Sequence, residues 1–212
     1  ESIEYPSMDG FWTETIEEDV IDWEPQMKVI NGVQYRVAVL KTEVIYPQRA
    51  GKLIIDRIEL VAQGKRSFFD RYQQMVARSN PITVTVEALP PAPAGMQNLG
   101  TFESLNLSVE LDRDQLPANE AANLKLKFSG RGNLKLLDNP NLDFPADLEV
   151  FDPKRDDRIS LNNGGMSGSR SFEYVLIPRT EGRYSIPALE LGYFDLKAKK
   201  YKTLNMRGIE LM

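Results

Sequence analysis

VIYPQRAGKLIIDRIEL, residues 44–60, recurs as VLIPRTEGRYSIPALEL, residues 175–191. Laid over each other without a gap, Val44 falls on Val175, Pro47 on Pro178, Gly51 on Gly182, Glu59 on Glu190 and Leu60 on Leu191. Apolar also meets apolar at Ile45/Leu176, Tyr46/Ile177, Leu53/Tyr184, Ile55/Ile186 and Ile58/Leu189. Each copy reads as strand, tight turn, strand, that is, a hairpin. The proline ends the first strand because it has no N–H to give a ladder. The glycine four residues on supplies the positive φ that reverses the chain. The repeat therefore predicts two similar β-domains in tandem.

The totals agree with that division. The 212 residues suit two domains of about 100 each, large enough to bury a modest core apiece. Apolar residues make up 42% and charged residues 27%, the balance of a globular chain. No apolar run approaches the ~20 residues that span a bilayer, and the opening ESIEYPSMDG is polar, without the pattern of a signal peptide. The net charge of −5 is scattered, so nucleic acid is not an expected partner. Lys197, Lys199, Lys200 and Lys202 cluster as a hairpin tip or edge strand would. Cysteine and histidine are both absent. That removes disulfides, thiolate nucleophiles, Ser-His triads and zinc sites built on His or Cys, so no cofactor or metal is expected.

Taken in order, residues 1–28 place Phe11-Trp12 and Trp23 among acids, either as an exposed aromatic platform or as cover for the end of a sandwich core. Asn31-Gly32 signals a type I′ hairpin, flanked by Lys28–Ile30 and by a long strand-like run from Val33 to Tyr46. Leu53–Ala62 continues as strand. In residues 65–79 the period changes: Phe69, Tyr72, Gln73 and Val76 share one helical stripe, with Phe68, Tyr72 and Met75 beside it. A short helix or an excursion between strands is predicted there. Ile82, Val84 and Val86 then alternate with polar residues as a half-buried strand. Three prolines in Leu89–Gly95 make a stiff linker. The boundaries follow as a first domain at 1–89, a linker at 90–98 and a second domain at 99–212.

The second domain alternates cleanly at Leu105–Leu111 and Leu124–Phe128, ending at Gly130-Arg131-Gly132-Asn133. Leu148–Phe151 forms a short strand, residues 162–169 (NNGGMSGS) a flexible hairpin tip, Phe172–Leu176 a strand into the second copy, and Tyr201–Leu211 the close. The fold class is all-β: tandem antiparallel sandwiches of immunoglobulin-like type, with one short helix or excursion in the first.

Carboxylates are the acid–base groups that remain. Asp152, Asp156 and Asp157 fall in DPKRDD, read as a solvated turn. Its Lys154 and Arg155 would repel a calcium ion, and the spacing lacks the alternation of a calcium loop. Gly130-Arg131-Gly132 and Asn163-Gly164-Gly165 lack the strand-to-helix setting and the Lys-Ser/Thr of a phosphate loop.

Three blocks together carry a family resemblance: GFWTE at 10–14, NGVQYRVAVLKTEVIYPQRAGKLII at 31–55, and LSVELDRDQLPANEAANLKLKFSGRGNLKLLDNP at 107–140. With Val150-Phe151-Asp152-Pro153 and the Phe172-x-Tyr174-x-Leu176-x-Pro178 strand, the chain resembles BatD, the exported protein of the bacterial aerotolerance (oxygen tolerance) operon. The resemblance implies an internal periplasmic fragment, with signal peptide and membrane anchor elsewhere and further strands expected before the GFW element, so that the first domain is read as N-terminally incomplete or as having an exposed edge. It implies operon partners, namely von Willebrand factor A domain proteins and a MoxR-type AAA+ ATPase, and no known enzymatic activity or catalytic residues.

Three functions follow as expectations. The first is a non-enzymatic interaction or scaffold module of the envelope, using Phe11, Trp12, Phe68, Phe69 and Tyr72 and the sandwich edges. The second is a carbohydrate-binding module stacking sugars on Trp12, Trp23 and Tyr72. The third is an enzyme working through carboxylates alone, which needs two facing acids in a cleft.

Overall fold

A computed structural model describes residues 2–18, 26–64, 71 and 73–212. The chain divides into two compact units, Glu1–Pro90 and Pro91–Met212. Both are built from strands, and no α-helix occurs among the described residues. The chain is all-β, as the strand spacing predicts.

In the second unit the strands are β10 (Gln97–Leu111), β11 (Ala122–Gly132), β12 (Leu148–Val150), β13 (Lys154–Asn162), β14 (Gly165–Pro178), β15 (Tyr184–Ile186), β16 (Leu189–Asp195), β17 (Lys200–Met206) and β18 (Ile209–Leu211). Seven of them form one sheet in the order β12-β14-β11-β10-β16-β17, with β13 also on β14. β10 serves both arms of this sheet. Its first part runs parallel to β16 and its second antiparallel to β11, with an irregularity between Phe102 and Ser104. β15 and β18 form a separate pair.

The core of this unit follows from strand periodicity. Leu124, Leu126 and Phe128 on β11 and Phe172, Tyr174 and Leu176 on β14 are buried, while Lys125, Lys127 and Glu173 between them are not. Phe128 and Phe172 meet edge to face with centroids 6.1 Å apart. Such side chains contribute about 1.5–3 kcal/mol each on burial. Gly130 is demanded by packing, because a Cβ there would stand 2.0 Å from the Ser104 carbonyl oxygen of β10.

The first unit comprises β1 (Ser2–Glu4), β2 (Phe11–Glu18), β3 (Gln26–Ile30), β4 (Val33–Val37), β5 (Lys41–Pro47), β6 (Gly51–Ile55), β7 (Glu59–Gly64), β8 (Gln73–Arg78) and β9 (Ile82–Val86). They pair as β1-β7-β8, β2-β5, β3-β4 and β6-β9. Leu53 is its one buried hydrophobic side chain among the described residues.

The repeat survives as topology. β5 to β9 correspond in succession to β14 to β18, and β6·β9 and β7·β8 mirror β15·β18 and β16·β17. The ladders before them match in register: Thr13 faces Ile45 as Ala122 faces Leu176. The repeated stretch is not, however, a hairpin. The strands flanking each turn pair with different partners, β5 with β2 but β6 with β9, and β14 with β11 but β15 with β18. The turn therefore carries the chain from one ladder to another. Gly51 has the expected positive φ of 112°, whereas Gly182 at 159° lies close to extended backbone.

Three further expectations are corrected. Gln73–Arg78 is strand β8 and not part of a helix, because Val76 and Met75 find ladder partners in Val61 and Ala62. The DPKRDD segment is not a solvated turn throughout, since β13 starts at Lys154 and carries Asp156 and Asp157 along the edge of β14. The 162–169 tip shrinks to Asn163-Gly164, because β14 begins at Gly165.

Candidate interaction surface

Phe11 and Trp12 open β2 directly after a turn in which the Phe11 amide donates to the Met8 carbonyl at 2.9 Å. Opposite them lie Pro47 and Tyr46, at the mouth of the repeated turn. Both aromatic side chains are half-buried. The Trp12 ring meets Tyr46 at 6.0 Å with planes tilted by 58°. That packing uses Trp12 as cover and leaves it no coplanar neighbour in Tyr46 for stacking a sugar. Trp23, Phe68, Phe69 and Tyr72 lie outside the described residues. Nothing described brings Phe11 and Trp12 together with them.

Exposed apolar side chains of this unit include Ile54, Met75, Val76 and Ile82 on β6, β8 and β9, and a larger set on β3 and β4. Met27, Val29 and Ile30 on β3, and Val33 and Tyr35 on β4, are all exposed, as is Val39 in the link to β5; Val29 reaches 69% and Val39 66%. The two strands form a hairpin closed by Asn31 and Gly32 at φ of 51° and 79°, the geometry that Asn-Gly favours. Cross-strand partners put Ile30, Val33, Tyr35 and Val37 on one face with Lys28 and Gln26. Among the described residues, neither strand pairs with any other. The Asn-Gly signal marked the hairpin in the sequence. Its exposure was not legible, because alternating apolar residues read equally as a core strand.

A comparison of the two ladders accounts for that exposure. Positions 172 and 174 of β14 hold buried Phe and Tyr. In register, β5 places Lys41 and Glu43 there, joined by an ion pair of 2.8 Å. Lys41 also stands 4.9 Å above the Tyr5 ring. On β2, Thr13 and Thr15 replace buried Ala122 and Leu124. The face that makes the core of one unit is polar in the other.

In the second unit two sets of charged groups are held in structural contacts. Arg170, 3% exposed, forms a fork on Asp157, Nε to Oδ1 and Nη2 to Oδ2 both at 2.7 Å. Its Nη1 donates to the carbonyls of Lys135 and Leu137 at 2.9 and 2.8 Å. The hydrogen bonds from Arg170 hold the Asp157 carboxyl below the usual range, against the opposing effect of burial. Asp195 accepts from the Lys202 ammonium at 2.5 Å and from the amides of Lys197 and Ala198. The Lys202 hydrogen bond comes first in depressing the Asp195 pKa. Sequence reading missed Arg170, since its partner lies 13 residues away and across a strand pair. The lysine cluster does occupy the β16–β17 tip and β17 itself. Among the described residues no group of three or more carboxylates is placed to hold a metal ion.

These features define an all-β module in which Arg170–Asp157 and Lys202–Asp195 act as clamps and the β3–β4 hairpin is one of the places where apolar side chains are exposed. Residues 109–211 match the family described as BatD DUF11 like domain, from the middle of β10 to the end of β18. The match lies within the second unit and identifies that unit as a BatD-type domain. No curated protein and no solved structure matches it. Among the described residues no helix is long and apolar enough to cross a membrane.

Proposed function

We propose that this chain is a non-enzymatic interaction module, two immunoglobulin-like sandwiches of a BatD-type aerotolerance protein on the periplasmic face of a bacterial inner membrane. It contributes to a membrane-associated complex with von Willebrand factor A domain proteins and a MoxR-type ATPase. The observation that carries this reading is the exposure of Ile30, Val33 and Tyr35 on one face of the β3–β4 hairpin and of Met27 and Val29 on the other. Exposed apolar side chains gathered in one place mark a contact surface. Without histidine or cysteine in the chain, its part in oxygen tolerance is indirect.

Capture from membrane extracts tests the reading. The intact chain is expected to retain envelope partners, von Willebrand factor A domain proteins among them. Val29→Lys with Tyr35→Lys is expected to lose them while the second unit keeps its fold. Equal capture by both forms sinks the proposal.

A further inference from the structure

At the β16–β17 turn the sign of the charge reverses. The whole chain has a net charge of −5, yet residues 196–207, LKAKKYKTLNMR, hold four lysines and an arginine and no carboxylate. Leu196, Lys197, Ala198, Lys199 and Lys200 are all exposed, Leu196 at 47%. Lysines on an edge strand deter pairing with other chains, which accounts for Lys200 and Lys202 on β17, the end strand of its sheet. It does not account for Lys197 and Lys199, which lie in the turn, or for an apolar side chain left uncovered beside them. We propose that this turn docks on an anionic bilayer surface, Leu196 entering the headgroup region and Lys197, Lys199 and Lys200 lying against the lipid phosphates. This surface is in the other unit from the β3–β4 hairpin, and its role goes beyond the interaction-module reading.

The turn is held ready. The Leu196 amide donates to the Phe102 carbonyl of β10 at 3.0 Å. Asp195, 2% exposed, accepts from the amides of Lys197 and Ala198 at 2.9 and 2.7 Å through Oδ1, and from Lys202 at 2.5 Å through Oδ2. Lys199 takes a φ of 50° within the turn. The Asp195 carboxylate is thus spent inward. Glu103 stands 3.8 Å from Lys197 but also 3.4 Å from Arg131. Among the described residues Lys199 and Lys200 form no ion pair with a carboxylate. Docking therefore needs little further ordering of the backbone.

Two features choose lipid over an acidic protein. A lysine lays its stem on apolar ground and keeps its ammonium in the polar layer. Cations beside an exposed leucine thus match a bilayer interface, apolar within and anionic at its surface. An acidic protein segment would satisfy the lysines and leave Leu196 in water. The attraction is also local. At 0.1 M salt, exposed charges more than about 10 Å apart are largely screened, so acids elsewhere in the chain oppose the contact little. Each lysine close to an anionic surface contributes on the order of fivefold in affinity.

Flotation of the whole chain with phosphatidylcholine vesicles, with and without phosphatidylglycerol, tests this. The chain is expected to float with the anionic vesicles, not with phosphatidylcholine alone, and to be released by high salt. Lys199→Glu with Lys200→Glu is expected to weaken binding by more than about tenfold. Lys127→Glu with Lys154→Glu makes the same charge change on β11 and β13 and is expected to leave binding unchanged. The chain has no cysteine, so Leu196→Cys and Leu136→Cys each accept a single environment-sensitive dye. Its emission is expected to shift to the blue on anionic vesicles at 196, and to stay constant at 136, an exposed apolar position on the 3-10 turn. Failure to float with anionic vesicles overturns the proposal. So does an equal loss in both charge-reversed variants, or a dye at 196 that remains in water. A turn variant that loses an acidic protein partner, with vesicles unbound by the parent chain, overturns it in favour of that partner. None of these outcomes touches capture of envelope partners through Val29 and Tyr35, which is decided separately.

Discussion

Arg170 and Asp157 meet through two hydrogen bonds of 2.7 Å, and the same guanidinium reaches two backbone carbonyls of the connection after β11. One side chain thus ties together β13, β14 and the 3-10 turn at Leu134–Leu136. Removing one partner of such a pair leaves the other charge uncompensated. Asp157→Ala is expected to destabilise the second unit by about 2–4 kcal/mol, below the ~3–5 of a fully buried pair because the carboxylate is partly solvated. Urea unfolding followed by the tyrosine signal of this unit checks it. A change under about 0.5 kcal/mol, the size of an ordinary surface substitution, would show that the fork carries little.

The pH dependence follows from the same group. The carboxyls of Asp157 and Asp195 have folded-state pKa values below their unfolded values. The unfolded chain then binds more protons, so stability rises with pH across this window. The contribution is complete above the ordinary carboxylate range near 4 and is lost as pH falls through the lower folded-state values. Melting of the second unit is expected to be flat from neutral pH to about 5 and to drop below 4. In Asp157→Asn the drop should be shallower, and an identical profile in both forms would contradict the assignment.

The glycines separate packing from torsion. Gly130→Ala drives a Cβ into the Ser104 carbonyl, which belongs to backbone and cannot rotate away. A loss of about 1–3 kcal/mol or more is expected, as for overpacking. Gly182→Ala meets open space, and at φ 159°, the edge of the range L side chains avoid, it is expected to cost less than Gly51→Ala. Gly51→Ala also meets open space, but at φ 112°, where an L side chain is strained. Thermal denaturation of the three variants is expected to give the order Gly130, then Gly51, then Gly182. Equal losses at Gly51 and Gly182 would refute the distinction drawn between the two turns.

The two units should also differ in protection. Amides of β11 and β14, over a core of Leu124, Leu126, Phe128, Phe172 and Leu176, are expected to exchange slowest. Those of β3 and β4, exposed on nearly every residue, should be unprotected in dilute solution. Hydrogen exchange with mass spectrometry reads both at once. Slow exchange throughout 26–37 at low concentration would mean that the hairpin is covered within its own chain.

Much of this architecture could be read from the chain. The gapless match of 44–60 to 175–191 reflects a shared succession of strands, and Asn31-Gly32 marks its hairpin. The match misled where local pattern stands in for partners. Proline and glycine announce a turn, but they do not say whether the flanking strands pair with each other, and here they do not. Lys41 and Glu43 against Phe172 and Tyr174 lie just outside the repeated stretch, so the loss of a core face went unseen. Within the predicted helical stripe, Gln73 and Val76 have ladder partners in β7. Asp157 looked solvated because its partner Arg170 becomes visible only when β13 is laid beside β14. The aromatic residues drew attention away from the hairpin, whose valines and isoleucine resemble any core strand.

Photo-crosslinking in the native membrane tests the central claim most directly, with a photoreactive residue placed singly at Val29 or Tyr35 of the hairpin and, for comparison, at Lys127 of β11. The account expects the hairpin positions to yield covalent adducts with another envelope protein or a second copy of the chain, and Lys127 to yield none. Adducts at Lys127 with none at Val29 or Tyr35 would contradict it.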